Sequence, residues 1–168
     1  MNANSQEVSS IDVSGGSFSG LSKFQLTAGF NDYEYFDVSK FNGVANLYIG
    51  GMWGASPPEI DRAELKVLDL KKVVKMPDNI QGYHAKIEDI KWPIEPVVDI
   101  TNPYMSYGFR YNKLSVSEVD EAIIKIERLG YVGGTLKLED QSPPAPPSAA
   151  SAVALSALQA RGWAVTTD

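Results

Sequence analysis

A predicted helix followed by a glycine and an aromatic residue occurs twice in the last third of the chain. This feature constrains the fold more than any other. The first copy covers residues 115–131 and the second ends at Trp163. In the first copy, apolar side chains recur at helical spacing and form one stripe: Val119, Ala122, Ile123, Ile126 and Leu129. Such a stripe is best explained by packing against a neighbouring layer of the same protein.

Polar residues and a glycine mark the limits of the first predicted helix, over residues 115–130. Ser115 or Ser117 can cap its first turn. The first turn is acidic and the last turn basic, which suits the helix dipole. Gly130 is expected to end the helix, because glycine adopts the left-handed conformation that follows a helix.

The second helix is predicted over residues 149–161, ends at Gly162, and aligns with the first at a constant offset. The matching pairs are Ala122 with Ala154, Ile123 with Leu155, Ile126 with Leu158, Gly130 with Gly162 and Tyr131 with Trp163. The alignment fails at Leu129, which meets Arg161. Two interpretations stay open: two ordinary helices of an α/β layer, or a true duplication whose strand–helix units stack as in a solenoid.

The chain before residue 114 is predicted to be β-rich, with short alternating runs broken by glycine and proline. LKVLDL at 65–70 has the L-x-x-L-x-L spacing of leucine-rich repeats; helix is also possible there, and strand is favoured. Residues 83–93 are predicted as a further strand. The prolines within 143–147 exclude a helix, and an ordered crossover is favoured over a flexible linker.

These patterns predict an α+β fold in two parts. Residues 1–113 would form a β-rich domain, and residues 114–168 a small repeat-like α/β module of strand–helix units. The length of 168 residues suits one domain, or one domain with a small appendage. We interpret the second part as a small cap and not as a full horseshoe.

Composition limits the partners. The net charge of −6 argues against binding to nucleic acid, because phosphate contacts need a basic face. The chain has no cysteine, which excludes disulfides and thiolate metal sites. We recognise no targeting segment at the N-terminus, and no apolar run is long enough to predict a membrane span.

The sequence shows no pattern of a catalytic or metal site. His84 is the single histidine, and in a predicted strand it is expected to be structural. Adjacent carboxylates such as Glu139 and Asp140 would point to opposite faces of a strand. Asp32 and Glu34 would share a face of a strand, which leaves a hydrolase that uses one of them as a hypothesis. We expect a non-enzymatic protein with no cofactor and no bound metal.

A dense aromatic stretch lies just before the first helix. Tyrosine and arginine are favoured at protein interfaces, because they bury a large area at low entropic cost. The interaction candidates are Tyr104, Met105, Tyr107, Phe109, Arg110 and Tyr111.

Several short motifs follow one another in residues 114–168. They are Leu-Ser-x-x-x-Val-Asp from Leu114, Gly-Gly-Thr-Leu-x-Leu from Gly133, a proline-bearing loop over 145–148, and Leu-x-x-x-Gly-Trp-x-Val-Thr-Thr from Leu158. This series resembles a module that recurs in virion structural proteins of tailed bacteriophages. The chain departs from that pattern at the end of Gly-Gly-Thr-Leu-x-Leu, where LEDQS at 138–142 replaces the usual Leu-Ser-Gly-Gly.

The resemblance implies a structural protein of a phage particle, located in the virion. Its partners would be capsid or tail subunits, and it would form homo-oligomers. A capsid decoration or head-fibre-type subunit is the preferred expectation. A tail or baseplate component and a receptor- or glycan-binding module are the alternatives.

Overall fold

The computed structural model describes residues 2–3, 21–27, 34–41, 44–50, 65–95 and 105–168. Their strands form two sheets, and all pairs are parallel. The larger sheet contains, in spatial order, β1 (Asn2–Ala3), β2 (Lys23–Thr27), β4 (Asn46–Gly50), β6 (Asn79–Gln81), β8 (Ser106–Gly108), β9 (Gly134–Lys137) and β10 (Trp163–Thr166). The smaller sheet contains β3 (Tyr35–Asp37), β5 (Val67–Asp69) and β7 (Asp89–Lys91).

Two helices continue the layer that the smaller sheet begins. The first, α1 (Val116–Arg128), follows β8, and the second, α2 (Ala152–Ala160), follows β9. A 3-10 helix (Val38–Phe41) follows β3. Since α1 packs against both β7 and α2, the chain repeatedly leaves the larger sheet for one second layer and then returns. A chain that advances by one strand per turn in this way is wound as a solenoid.

The register of the larger sheet aligns equivalent positions of successive turns. Gln81 lies beside Gly108, Gly108 beside Lys137, and Lys137 beside Thr166. The last two steps, from Gly108 to Lys137 and from Lys137 to Thr166, are equal in length. Residues that follow the strands at the same distance are therefore neighbours along the solenoid.

Both predicted helices are present, each shorter than predicted. Ser115 is the N-cap of α1, and its hydroxyl accepts a hydrogen bond from the Glu118 amide at 3.3 Å. Gly130 and Gly162 have φ angles of +79° and +84°, so both glycines take the left-handed conformation expected after a helix.

The offset that aligns the two helices does not extend into the strands. In the ladder of β9 and β10, Trp163 lies beside Gly134 and not beside Tyr131. The predicted equivalence of Tyr131 and Trp163 is therefore wrong. The indole N–H of Trp163 instead donates to the Tyr131 carbonyl at 3.2 Å.

The two predicted strands of the middle region have different outcomes. At 65–70 the strand is confirmed as β5, and the three leucines of the L-x-x-L-x-L spacing are all buried. Within 83–93 only β7 is a strand, while residues 83–85 form a turn. The Ala85 and Ile87 amides bond to the Asn112 side chain instead of to a neighbouring strand.

The fold class is α+β, as predicted: the described residues are rich in strands and include two α-helices. The larger sheet crosses the predicted boundary between residues 113 and 114, because β8 and β9 pair directly. Buried side chains from both sides, such as Tyr107 and Leu136, belong to one hydrophobic cluster. The division into two domains and the repeat-like character of the second stay predictions.

The proline-rich segment 143–147 is packed against the rest of the fold. Ala145 is buried, and its amide donates to the Asp168 carboxylate at 2.9 Å. The same carboxylate accepts from the Gln141 amide at 3.1 Å. The segment is thus a crossover fastened to the last residue of the chain.

Candidate interaction surface

Three residues in the left-handed backbone region follow consecutive strands of the larger sheet. His84, Tyr111 and Asp140 have φ angles of +51°, +57° and +63°. They follow, at the same distance along the chain, the positions Gln81, Gly108 and Lys137, which are neighbours in the sheet register. The three residues therefore occupy the same corner of three successive turns.

A side chain at this corner has a conformational cost. The left-handed region costs an L-residue about 1–2 kcal/mol, whereas glycine adopts it readily. Histidine and aspartate are among the residues that tolerate it best, but the bulky Tyr111 is an outlier. Strain of this kind concentrates at functional sites. We therefore take the side chains at the corner as candidates for recognition.

The side chains at the corner form an ordered stack. The rings of His84 and Tyr111 lie 4.2 Å apart and are parallel within 3°. The Arg110 guanidinium lies 4.9 Å from the centre of the Tyr111 ring, and its Nη2 donates to the tyrosine hydroxyl at 3.0 Å. We call His84, Arg110, Tyr111, Glu139 and Asp140 the corner patch.

Two carboxylates hold the arginine of the corner patch in place. Arg110 Nη2 donates to Asp140 Oδ2 at 3.0 Å. Its Nε lies 2.7 Å from Glu139 Oε1 but is not aligned for a hydrogen bond, so this contact is an ion pair. Burial alone would lower the pKa of Arg110, but the hydrogen bond to Asp140 and the charge of Glu139 raise it. The guanidinium is therefore a fixed, charged group at pH 7.

The Asn112 side chain links the two turns that carry His84 and Tyr111 of the corner patch. Its side chain is buried, and Oδ1 accepts from the amides of Ala85 and Ile87 at 3.1 Å and 3.0 Å. Its Nδ2 donates to the Arg110 carbonyl at 3.1 Å. One amide side chain thus ties the turn that carries His84 to the turn that carries Tyr111.

Gln141 occupies the equivalent position on the next turn of the solenoid. Its Nε2 donates to the carbonyls of Phe109 and Leu138, both at 2.8 Å, and its Oε1 accepts from the Leu114 amide at 3.1 Å. A sequence signal for both residues exists. The pattern apolar-x-apolar-x-x-Asn/Gln occurs at 107–112 and again at 136–141. The leucine-rich repeat pattern contains the same spacing.

The structure separates the predicted interaction residues into two groups and corrects part of that prediction. Met105, Tyr107 and Phe109 are buried in the core, because alternate residues of β8 and its flanks face inward, and they offer no surface to a partner. Arg110 is half-buried and Tyr111 is 42% exposed, so these two stay candidates. Tyr104 lies outside the described residues.

The outer face of the larger sheet adjoins this corner and carries uncharged polar side chains at its centre. Asn79 Nδ2 donates to Tyr48 Oη at 2.9 Å, and Gln81 Nε2 contacts Ser106 Oγ at 3.0 Å. Ser106 and Thr135 share a hydrogen bond of 2.8 Å. Because Gln81 Nε2 also donates to Asn79 Oδ1, these five side chains form one connected row across β4, β6, β8 and β9, which we call the polar face.

The remaining candidates from the sequence take other positions. His84 lies in a turn and not in the predicted strand. Glu34 forms an ion pair with Lys66 at 2.5 Å, and Asp32 lies outside the described residues. The part of the chain that the structure describes holds no group of three metal-ligating side chains, and none of its helices is long and apolar enough to cross a membrane. No family model, curated protein or solved structure matches the chain.

Proposed function

We propose that this protein is a non-enzymatic structural protein of a tailed-phage virion, a capsid decoration or head-fibre-type subunit that contacts a neighbouring virion protein through the corner patch. The resemblance of residues 114–168 to a phage virion module supports the setting. The observation that carries the contact surface is the set of three non-glycine residues held left-handed on successive turns.

The corner patch has the chemistry of a protein contact. Tyr111 is held between His84 and Arg110, so its ring is rigid before a partner arrives. Preorganised tyrosine and arginine side chains frequently dominate the energy of interfaces. Arg110 is already paired with two carboxylates. Packing and hydrogen bonds, more than a new ion pair, would therefore stabilise the contact with a partner.

The test separates recognition from folding through the substitution Tyr111→Gly. It removes the exposed side chain and relieves the left-handed strain, so we expect unchanged or higher stability together with loss of binding. Binding is measured as co-sedimentation of the purified protein with phage particles that lack it. Stability is measured as the urea midpoint.

Lys86→Gly is the matched control, since Lys86 is also left-handed, at φ +60°, but does not belong to the corner patch. This variant should gain stability and still bind. If Tyr111→Gly binds particles as well as the wild type, the corner patch is not the contact surface. If the wild-type protein binds no particle, the assignment to the virion is overturned. Immunogold labelling of particles distinguishes the head from the tail or baseplate.

A receptor- or glycan-binding module is the second candidate, and the polar face favours it. Its side chains are uncharged hydrogen-bonding groups, which suit a hydroxyl-rich ligand. Such a row without charges stands out, because 21% of the residues of the chain are charged. Binding of the purified protein to host cells, in place of binding to particles, is the outcome that favours this candidate.

A further inference from the structure

Strand β10 presents an open backbone edge. It is the outermost strand of the larger sheet in the described part of the chain. The Thr166 carbonyl accepts from the Leu138 amide at 2.8 Å, so the amide and carbonyl of the preceding residue, Val165, point away from β9. Natural edge strands are protected by proline, charge or a cover, and residues 163–166 contain neither proline nor charge.

The hydrophobic core is also open at this end. Leu136 is fully buried, whereas Val165, its partner in the register, is only partly buried although it packs on the same core. In α2, Leu155 is likewise partly buried, and Val153 is 84% exposed. We call β10 together with the exposed side of α2 the terminal face.

Charge restricts what can cover the terminal face. Between Gln141 and Asp168 the single charged residue is Arg161. Its guanidinium turns back toward α1 and donates to the Glu127 carbonyl at 2.7 Å and to the Glu127 carboxylate at 3.0 Å. Neither β10 nor the exposed side of α2 therefore presents an unpaired charged side chain of its own, and the Glu139 carboxylate beside Thr166 is paired with Arg110. For a protein of net charge −6, it is a surface where two copies can meet without close like-charge contacts.

We propose that a second copy of this chain covers the terminal face, with the two β10 strands paired antiparallel about a two-fold axis. In such a pair the outward amide and carbonyl groups of each strand meet those of the other. The larger sheet then continues through both copies, and the exposed apolar side chains of α2 lie near the interface. A two-fold contact uses the same surface on both subunits and closes after two copies.

This inference goes beyond the proposed function, because it uses neither the corner patch nor a particle. Sedimentation velocity should show a species of twice 18.3 kDa. Ala164→Lys places a charge on the edge strand and Val153→Glu places one on α2. Each should weaken the dimer by about tenfold or more, which corresponds to about 1.4 kcal/mol. Val74→Glu, at an exposed valine after β5, is the matched control and should stay dimeric.

Crosslinking tests the two-fold arrangement directly, because the chain has no cysteine of its own. Ala164→Cys should form a covalent dimer with a short bismaleimide, and Val74→Cys should not. Circular dichroism confirms folding of every variant, and if Ala164→Lys does not fold, Val153→Glu decides. A monomer at high concentration, a trimer, or an open series of oligomers would overturn the proposal. A monomer that still binds particles overturns this inference alone and leaves the proposed function intact.

Discussion

At the residue scale, the same amino-acid types serve both the core and the surface. The sequence identified the aromatic stretch near the first helix but not which of its members face outward. Tyr107 and Phe109 are buried, whereas Arg110 and Tyr111, which follow them directly, are partly exposed or exposed. A strand as short as β8 gives too short a pattern to identify the inward face. The left-handed backbone of Tyr111 could not be predicted from the sequence, because glycine is the residue expected in that conformation.

Asp120 illustrates a role that the sequence did not reveal. Its buried carboxylate accepts from the Ser148 amide at 2.9 Å and from the hydroxyls of Ser148 and Ser151. It thereby fastens the start of α2, whose N-cap Ser151 makes no side-chain bond to its own helix. Asp120 and the serine that ends the proline-bearing loop at 145–148 are thus two halves of one contact.

We predict that Asp120→Asn destabilises the protein by about 1–3 kcal/mol at pH 6, since it weakens a buried, charge-assisted set of hydrogen bonds. Burial alone would raise the pKa of Asp120, but the hydrogen bonds from Ser148 and Ser151 hold it below its usual value. A depressed folded-state pKa stabilises the protein above the unfolded pKa of about 3.9 and loses that effect as the pH falls through the folded value.

The loss of stability at acid pH therefore provides the diagnostic measurement. Urea unfolding from pH 6 to pH 2 should show a steeper loss of stability in the wild type than in Asp120→Asn below about pH 4. Glu121→Gln, on the exposed side of the same helix, is the control and should match the wild type in both respects. Equal stability and equal acid profiles for wild type and Asp120→Asn would show that the carboxylate does not fasten α2.

At the element scale, the helices were predictable from the sequence, and the pairing of the strands was not. The stripe of α1, its Ser115 cap and the Gly130 stop are all local signals, and the structure confirms them. Parallel pairing joins residues that lie far apart in the sequence, so no local pattern reports it. Asn112 shows the consequence. It satisfies backbone groups that a longer strand would have paired, and its partners lie on the preceding turn.

Two glycines test which elements depend on local conformation and which on close packing. Gly130 has φ +79°, and among the described residues no atom packs within 4 Å of an added Cβ, so Gly130→Ala should cost about 1–2 kcal/mol from conformation alone. At Gly50, with φ +113°, an added Cβ would lie 2.2 Å from the Tyr83 carbonyl oxygen. Gly50→Ala should therefore cost more than about 3 kcal/mol, since strain and overlap combine.

Urea unfolding of both variants measures this difference. Gly130→Asn is the control, because asparagine tolerates the left-handed region, and it should cost less than Gly130→Ala. Equal losses at Gly50 and Gly130 would mean that the turn around Tyr83 moves away and does not press on β4.

At the scale of the whole molecule, each turn of the solenoid buries its side chains against the next, so stability is shared between neighbours and an outer turn is left partly open. One larger sheet runs from β1 to β10 and so joins strands from both of the predicted parts. The early turns have unequal lengths, since the step from Asn46 to Asn79 is longer than the step from Asn79 to Ser106. Unequal steps conceal a repeat from any search at a fixed period.

The net charge of the whole molecule sets how the proposed dimer responds to salt. Two copies of charge −6 repel at long range, while the terminal face where they meet carries no free charge. Salt shortens the Debye length from about 30 Å at 0.01 M to about 8 Å at 0.15 M, which removes the repulsion and leaves the contact unchanged. We therefore expect the dimer dissociation constant to fall as salt rises over this range, measured by sedimentation equilibrium at pH 7. Lys71→Glu, in an exposed turn, makes each copy more negative and should steepen the dependence. A dimer that weakens with added salt would instead be held by ion pairs, and the uncharged terminal face could not be its interface.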